Sequence, residues 1–390
     1  MRVGILTSHA VQYQAPWFRA LAREVDLQVY FAHRQSAQEQ ARAGFGVAFD
    51  WDVDLLSGYQ SHYLQNVAPN PDVNRYAGCD TPEIADIIQQ DRFDAFIVVG
   101  WYLKSHWQAI RACRRAGVPV LVRGDSQLLT HRSRLKAWVK RITHSLMLRR
   151  LDGFLAAGQR NREYLRHYGV SDRRIFLVPQ FVDNDWFAGK AAEVGAQRWV
   201  IRRNWRASDE TLVVLFVGKF IPEKRPQDLI RAVAEWPGTR PTLIFVGSGS
   251  LEVELRQLAS ELSADVRFEG FRNQSELPLY YVSADALALP SGSETWGLVV
   301  NEAFACGIPA VVSDRVGCAP DLIEEGKTGF TFPAGDIGAL QAKLQKMAEL
   351  KAAGYVWQPA LKTKIGGYSP QTAVTGTLAA LRATIESRRR

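Results

Sequence analysis

The sequence predicts an α/β protein made of two Rossmann-like, doubly wound domains. Three observations carry that reading. The chain has 390 residues, about twice an ordinary compact domain. Short β-branched or apolar runs alternate with longer amphipathic stretches, the pattern of β-α repeats that build parallel sheets. The strand-like runs also fall into two sets, divided by a polar stretch rich in Trp and Arg at 183–209.

In the first set the expected strands are 3–6, 27–31, 95–99, 118–122, 153–157 and 175–178. In the second they are 212–217, 242–246, 266–269, 286–289, 310–312 and 329–332, enough for a sheet in each half. The domains are accordingly expected at 1–185 and 186–367. After them, Ser369 can cap a final helix with Pro370 in its first turn, and 373–385 continues it with Leu378, Leu381 and Ile385 on one side.

Composition excludes several classes. With 47% hydrophobic and 23% charged residues the chain is globular, not disordered or fibrous. No apolar run approaches the roughly 18 residues of a membrane span, and the N-terminus turns polar at Thr7 and Ser8, so a cytoplasmic protein is expected. Cys79, Cys113, Cys306 and Cys318 form no C-x-x-C pair and read as reduced thiols. The histidines form no metal-binding pair, so a metallohydrolase is not expected and no metal site is predicted. The net charge of +8 favours anionic ligands such as nucleotide phosphates or acidic lipids, and falls short of a nucleic-acid binder.

The densest chemical signal runs from Leu289 to Ala303, through Glu294, Thr295, Trp296, Gly297, Leu298 and Glu302. A strand ends near Leu289, small residues turn the chain, and a helix starts near Trp296 or Gly297. The first free amides of that helix then leave the carboxyl edge of the sheet, where they can meet a phosphate, and Gly297 permits close approach. Glu294 and Glu302 are eight positions apart, about 12 Å along an ideal helix, too far for the close dyad of a retaining glycosidase. They suit the two ends of a long ligand, or else are a loop glutamate and a solvent-facing helix glutamate.

Upstream, Gly218 and Lys219 open a loop that also holds Lys224, two cations placed to neutralise a diphosphate or simply part of a charged surface loop. Gly247-Ser248-Gly249 reads as a tight strand-to-helix turn, because Glu252 stands where a dinucleotide fingerprint needs its third glycine.

Together these segments resemble the nucleotide-sugar-binding half of a retaining glycosyltransferase of family 4, the glycosyl transferases group 1 class with the GT-B architecture. The resemblance covers about 212–333 and includes Phe268-Glu269-Gly270 and the glycines at 317, 326 and 329 in the same order. A weaker match lies at 178–183. It implies two Rossmann-like domains facing a deep cleft, with the helix at 368–390 packing back on the N-terminal, acceptor-side domain. It further implies that Lys219 and Lys224 hold the donor diphosphate with the Gly297 and Leu298 amides, that Glu294 lies by the donor sugar, and that Glu302 binds ribose. Gly218, Gly247, Phe271, Thr295 and Trp296 complete the implied donor site. The substrate is then a nucleotide diphosphate-sugar, by default a UDP-sugar, with no metal or other cofactor, and the acceptor a glycan or lipid-linked hydroxyl in cell-surface polysaccharide or glycolipid synthesis.

The chain departs from the family pattern at Lys219, where Arg is common, and at Arg225, where Gly is usual. After the first strand it has Ser8-His9-Ala10 in place of a glycine-rich loop, and Arg123-Gly124-Asp125 where many members have a His. His9 and Asp125 are candidates for the acceptor side, each with a structural alternative: a local cap for His9, and an ion pair to Arg123 or Arg134 for Asp125. Asp50, Asp52 and Asp54 contain a D-x-D pattern that a metal could use, but read better as a polar edge or acceptor-side loop. From 131 to 150 there are seven basic residues and no acidic one, interleaved with apolar residues at helical spacing. That helix either lies against an anionic membrane, on its inner face, or packs its apolar side on its own sheet. Competing functions are a GT-B epimerase, recognisable by turnover without an acceptor, and a non-catalytic two-lobed sugar-binding protein. A dehydrogenase lacks its G-x-G-x-x-G after the first strand.

Overall fold

The computed structural model describes residues 1–129 and 134–389. The chain forms two compact units, one of 1–35, 54–180 and 370–390, the other of 36–53 and 181–369. In the first unit the strands are β1 (Arg2–Thr7), β2 (Asp26–Phe31), β3 (Gln60–Tyr63), β4 (Ala95–Val99), β5 (Val120–Gly124), β6 (Gly153–Ala156) and β7 (Ile175–Leu177). They make one parallel sheet in the order β3-β2-β1-β4-β5-β6-β7. The inner strands are apolar on both faces, as helix-covered parallel strands must be: Val3, Ile5, Ala95, Ile97, Val120 and Leu121 are fully buried.

β3 is the one strand of this sheet that the pattern of apolar residues does not announce. Its sequence is Gln-Ser-His-Tyr, and as an edge strand it needs only one bonded neighbour and no apolar face. The final helix, Pro370–Arg389, belongs to this unit. Thr377 accepts a hydrogen bond from the buried Trp17 indole at 3.2 Å, and Arg388 pairs with Asp152 at 2.9 Å.

The second unit has β8 (Val213–Val217), β9 (Thr242–Val246), β10 (Val266–Gly270), β11 (Ala286–Leu289), β12 (Ala310–Ser313) and β13 (Gly329–Phe332). Its parallel sheet has the order β10-β9-β8-β11-β12-β13. Chain connections run outward in opposite directions from β8 and β11, so the switch point lies between them. The polar stretch 183–209 that divides the two sets of strands carries two helices of this unit, Asn184–Val194 and Arg198–Asn204.

Below the sheet, a buried ion cluster ties these elements together. Asp285 takes Arg198 at 2.8 Å, Arg202 at 3.1 Å and Lys351 at 2.8 Å, and its carboxylate also accepts the Val213 amide at the start of β8. Burial pushes the Asp285 carboxyl up, but Arg202, the Lys351 hydrogen bond and the Val213 amide outweigh it and leave it below the usual carboxylate range.

The unit boundaries differ from the sequence expectation of 1–185 and 186–367. The crossing falls after Gln180, and Ser36–Val53, which runs between β2 and β3, is packed within the second unit. The reason is local chemistry: Phe45 and Phe49 pack on Phe271, Trp51 packs on Phe45 and Phe49, and Asp50 and Asp52 accept hydrogen bonds from Asn273 and Ser275.

Candidate active site

The switch point between β8 and β11 gathers most of the predicted donor residues. Gly218 directly follows β8, and its amide donates to the Val246 carbonyl at 3.0 Å; Phe220 donates to the Ser248 carbonyl at 2.8 Å. The loop after β8 thus lies backbone to backbone on the turn after β9. Gly247 is what allows it: its φ is +143°, and a Cβ there would stand 1.9 Å from the Gly218 carbonyl oxygen.

From the opposite side, Gly292 donates to the Glu223 carbonyl at 2.8 Å, joining the loop after β11 to the turn Pro222–Lys224. This brings the Lys224 ammonium onto the Glu294 carboxylate as a largely buried ion pair, with side-chain exposures of 21% and 13%. Lys219 is partly buried beside them. Burial, then the charge of Lys224, push its ammonium pKa down, while Glu294 pulls the other way. The Lys219 Nζ also sits 4.4 Å from the centre of the Phe45 ring.

Glu294 is held by its own backbone as well. Its carbonyl accepts the Gly317 amide at 3.0 Å, Trp296 accepts the Cys318 amide at 2.9 Å, and the Trp296 indole donates to Asn301 at 2.8 Å. Gly297, with φ of +97°, caps the helix Leu298–Ala305, and a Cβ there would lie 3.0 Å from both Leu289 and Val316. The glycine is therefore required by backbone angle and packing, beyond any need for ligand approach. Thr295 is exposed and Leu298 half-buried beside it.

Glu302 is carried by the helix that follows. It is fully buried on the helix Leu298–Ala305, and the Tyr281 hydroxyl donates to its carboxylate at 2.6 Å. Its charge reaches Cys306, whose thiol is pushed up by burial and then by Glu302. The ideal-helix separation does not apply to the two glutamates, because Glu294 precedes the helix and bridges to Val316. Phe271 follows β10 directly and packs on Phe49 at 4.3 Å between ring centres.

Arg225 shows why glycine is usual at its position. Its φ is +50°, in the left-handed region, at a cost of about 1 kcal/mol for a residue with a Cβ. The guanidinium offsets this by bonding the fully buried Asp228 at 2.6 and 3.2 Å.

In the first unit, His9 follows β1 with its Nδ1 3.0 Å from the Ser8 hydroxyl. Asp125 follows β5 on the same sheet edge, two strand spacings or about 10 Å away, with β4 between. The buried Arg123 guanidinium donates to the carbonyls of Val178 and Pro179 at 2.6 and 3.2 Å and to the Gln180 side chain at 3.1 Å. Burial lowers its pKa to about 10, and the charge of Asp125 opposes that shift. Asp50, Asp52 and Asp54 do not share one face: the Asp52 carboxylate accepts from Ser275 in the second unit, while that of Asp54 accepts the Leu56 and Ser57 amides in the first. Among the described residues no three His, Cys, Asp or Glu side chains are grouped to hold a metal ion.

Within 131–150, residues 131–133 lie outside the described residues, and the helix Arg134–Leu148 follows. Its last turns expose Ile142 (43%) and Leu146 (54%), with Arg141, Arg149 and Arg150 also exposed, while Leu148 is buried in the core. Sequence reasoning missed Tyr281, Asp285 and Phe45. Their roles depend on partners 21, 72 and 203 positions away, at Glu302, Val213 and Ser248, which no local pattern reveals.

Comparison with known proteins places this arrangement. The family model for Glycosyltransferase Family 4 matches residues 12–186, and that for Glycosyl transferases group 1 matches 197–357. The D-inositol 3-phosphate glycosyltransferase of Geodermatophilus obscurus is 29% identical over 72% of this chain and 67% of its own length. Its counterpart from Corynebacterium jeikeium is 31% identical over 70% of this chain and 65% of its own. The chain thus spans about two thirds of the length of these relatives. The Anabaena protein HepE, crystallised with UDP and glucose, superposes with a TM-score of 0.69 at 18% identity, covering 98% of this chain and 99% of that one. With both halves matched by consecutive models and both sheets matched in one fold, the chain belongs to the glycosyl transferases group 1 and family 4 of GT-B glycosyltransferases.

Proposed function

We propose that the protein transfers a sugar from a nucleotide diphosphate-sugar, a UDP-sugar first among them, to a hydroxyl of a glycan or lipid-linked acceptor in cell-surface polysaccharide or glycolipid synthesis. The observation that carries this reading is the meeting of Lys219, Lys224 and Glu294 at the switch point of the second sheet. Two ammonium groups there match a diphosphate, and the start of the helix Leu298–Ala305 adds backbone donors. UDP and glucose in HepE support the choice of donor.

Negative charge grows on the diphosphate as the bond from the sugar's anomeric carbon to phosphate breaks, and Lys219 and Lys224 are aimed at that charge. This is the work a divalent cation would otherwise do, so transfer proceeds without one. The Glu294 carboxylate is engaged with Lys224, and Glu302 is enclosed with Tyr281, so neither is poised as the nucleophile of a double displacement. The acceptor oxygen therefore bonds the anomeric carbon on the face the phosphate leaves, its proton passes to a departing phosphate oxygen, and the configuration is retained. His9 and Asp125 serve the acceptor side in this reading. Proton NMR of the first-formed product should show the donor's anomeric configuration, with activity unchanged by EDTA. An inverted product, or activity lost to EDTA and restored by manganese, would contradict the mechanism.

The exposed Ile142 and Leu146 among Arg141, Arg149 and Arg150 favour contact with an anionic membrane surface over a purely internal packing role. Co-sedimentation should rise with the acidic lipid content of vesicles and fall with salt. Equal sedimentation with neutral vesicles would remove the proposal.

A further inference from the structure

The segment Ser36–Val53 touches the second unit at the very groups assigned to the donor. Phe45 covers the Lys219 ammonium at 4.4 Å and accepts the Ser248 hydroxyl through its carbonyl, and Phe49 lies 4.3 Å from Phe271, ring centre to ring centre, at 36°. Asn273 bonds the Asp50 carbonyl at 2.7 Å, and Ser275 bonds the Asp52 carboxylate at 3.1 Å. The segment's own structure is slight. A four-residue helix, Ala37–Gln40, with a capping box at Ser36 and Glu39, runs directly into a π-helical turn, Ala41–Phe45, which Gly44 distorts at φ of +101° and Gly46 ends at +71°. A helical run of nine residues broken at Gly44 has little stability of its own, and the segment lies outside both sheets, so its exchange does not require either sheet to unfold.

An ammonium cannot give one face to both an aromatic ring and a phosphate, and rings at the Phe49–Phe271 distance leave no room for a base between them. We propose that 36–53 is an internal competitor for the donor: Phe45 and Phe49 hold the faces of Lys219 and Phe271 that a nucleoside diphosphate requires, and the nucleotide must displace them to bind. Phe45 and Phe49 are then positioning residues that set donor affinity, acting through Lys219 and Phe271. This rests on the donor reading of Lys219, Lys224 and Phe271 given above.

The test is calorimetry of UDP, GDP and ADP on the wild type, on a Phe45→Ala, Phe49→Ala double variant and on Lys224→Ala, with hydrogen exchange of 36–53 measured with and without nucleotide. The double variant should bind the preferred nucleotide about three- to tenfold more tightly, the size expected when a cation–π contact and an aromatic pair no longer oppose binding. Exchange of 36–53 should speed up on nucleotide addition. If Lys224→Ala weakens binding while the double variant binds equally or more weakly, or 36–53 becomes protected, the competitor proposal is overturned and the donor reading stands. If no nucleotide binds, or Lys224→Ala binds as the wild type does, the donor reading falls and takes the proposal with it. Should the double variant not fold, Ser248→Ala, which removes the anchor of the Phe45 carbonyl, should shift affinity in the same direction by a smaller factor; no tightening there overturns the proposal as well.

Discussion

At the carboxyl edge of the second sheet, the loops after β8, β9, β11 and β12 are bonded backbone to backbone and converge on Lys219, Lys224 and Glu294. At the same edge of the first sheet, His9 and Asp125 follow β1 and β5 with β4 between them, and each is surrounded by its own local partners. Both sheets are parallel and both have a switch point, so topology alone does not make a dense site. The difference lies in which side chains the joined loops carry. Where carbonyls and amides of separate loops meet directly, as at Gly218 and Val246 or Gly317 and Glu294, the charged side chains are carried to fixed places. The loops of the first unit are joined in the same way, His33 to the Ser8 carbonyl at 2.8 Å and Gln180 to the Ala157 carbonyl at 3.0 Å, with Arg123 adding a side-chain joint to Val178 and Pro179, but His9 and Asp125 follow strands with β4 between them.

The largest effect should come from removing the foundation of the denser region. Asp285→Ala leaves Arg202, only 2% exposed, without its buried carboxylate and with the exposed Asp209 at 3.8 Å, and should cost about 3–5 kcal/mol, read as early unfolding of the second unit in denaturant. Asp228→Ala, whose partner Arg225 can turn to solvent, should cost less.

Next is Gly247→Ala, which places a methyl against the Gly218 carbonyl at a φ of +143°. A loss on the order of 3 kcal/mol is expected, with nucleotide binding lost alongside, because the loop carrying Lys219 must shift. Retained stability and binding would show that the loop contact does not position the lysine.

The smallest of these effects separates the two units by pH. In the first unit, burial lowers the His106 pKa from 6.5 to about 3. The unfolded chain takes up that proton near 6.5 and the folded one does not until about 3, so the stability is present above 6.5 and is lost as pH falls through this window. The slope can reach about 1.4 kcal/mol per pH unit. Asp285 contributes with its carboxyl depressed, so its stabilisation is present above the ordinary carboxylate range and is lost only as pH falls below it. Between pH 6.5 and 4.5 hydrogen exchange should therefore report weakening from His106 in the first unit, absent in His106→Met, while the Asp285 contribution to the second unit holds.

The same contrast explains what the sequence made legible. Among the described residues ten of the thirteen strands are largely buried apolar runs between turns, the exceptions being the polar edge strand β3, the short β7 with Leu177 exposed and the half-buried β10, and those runs announce the two sheets. The donor motif was legible because close backbone contact admits only glycine at places such as 247 and 297, which stamps a fixed spacing on the chain. The Lys224–Glu294 pair could be foreseen as neighbours of one ligand but not as partners of each other, since 70 residues separate them. The burial of Glu302 behind Tyr281 and the docking of Phe45 on Lys219 arise from tertiary packing and carry no periodic signal.

The most direct test of the central claim, that the nucleotide is held by the second unit's β8–β11 edge, is equilibrium binding of UDP to four single variants by calorimetry. Lys219→Ala and Lys224→Ala should each lose a charge-assisted contact worth about 1.5–3 kcal/mol, roughly tenfold to a hundredfold in affinity. His9→Ala and Asp125→Ala should bind UDP within about twofold of the wild type, under 0.5 kcal/mol. Equal losses at His9 or Asp125, or unchanged affinity at both lysines, would contradict the claim.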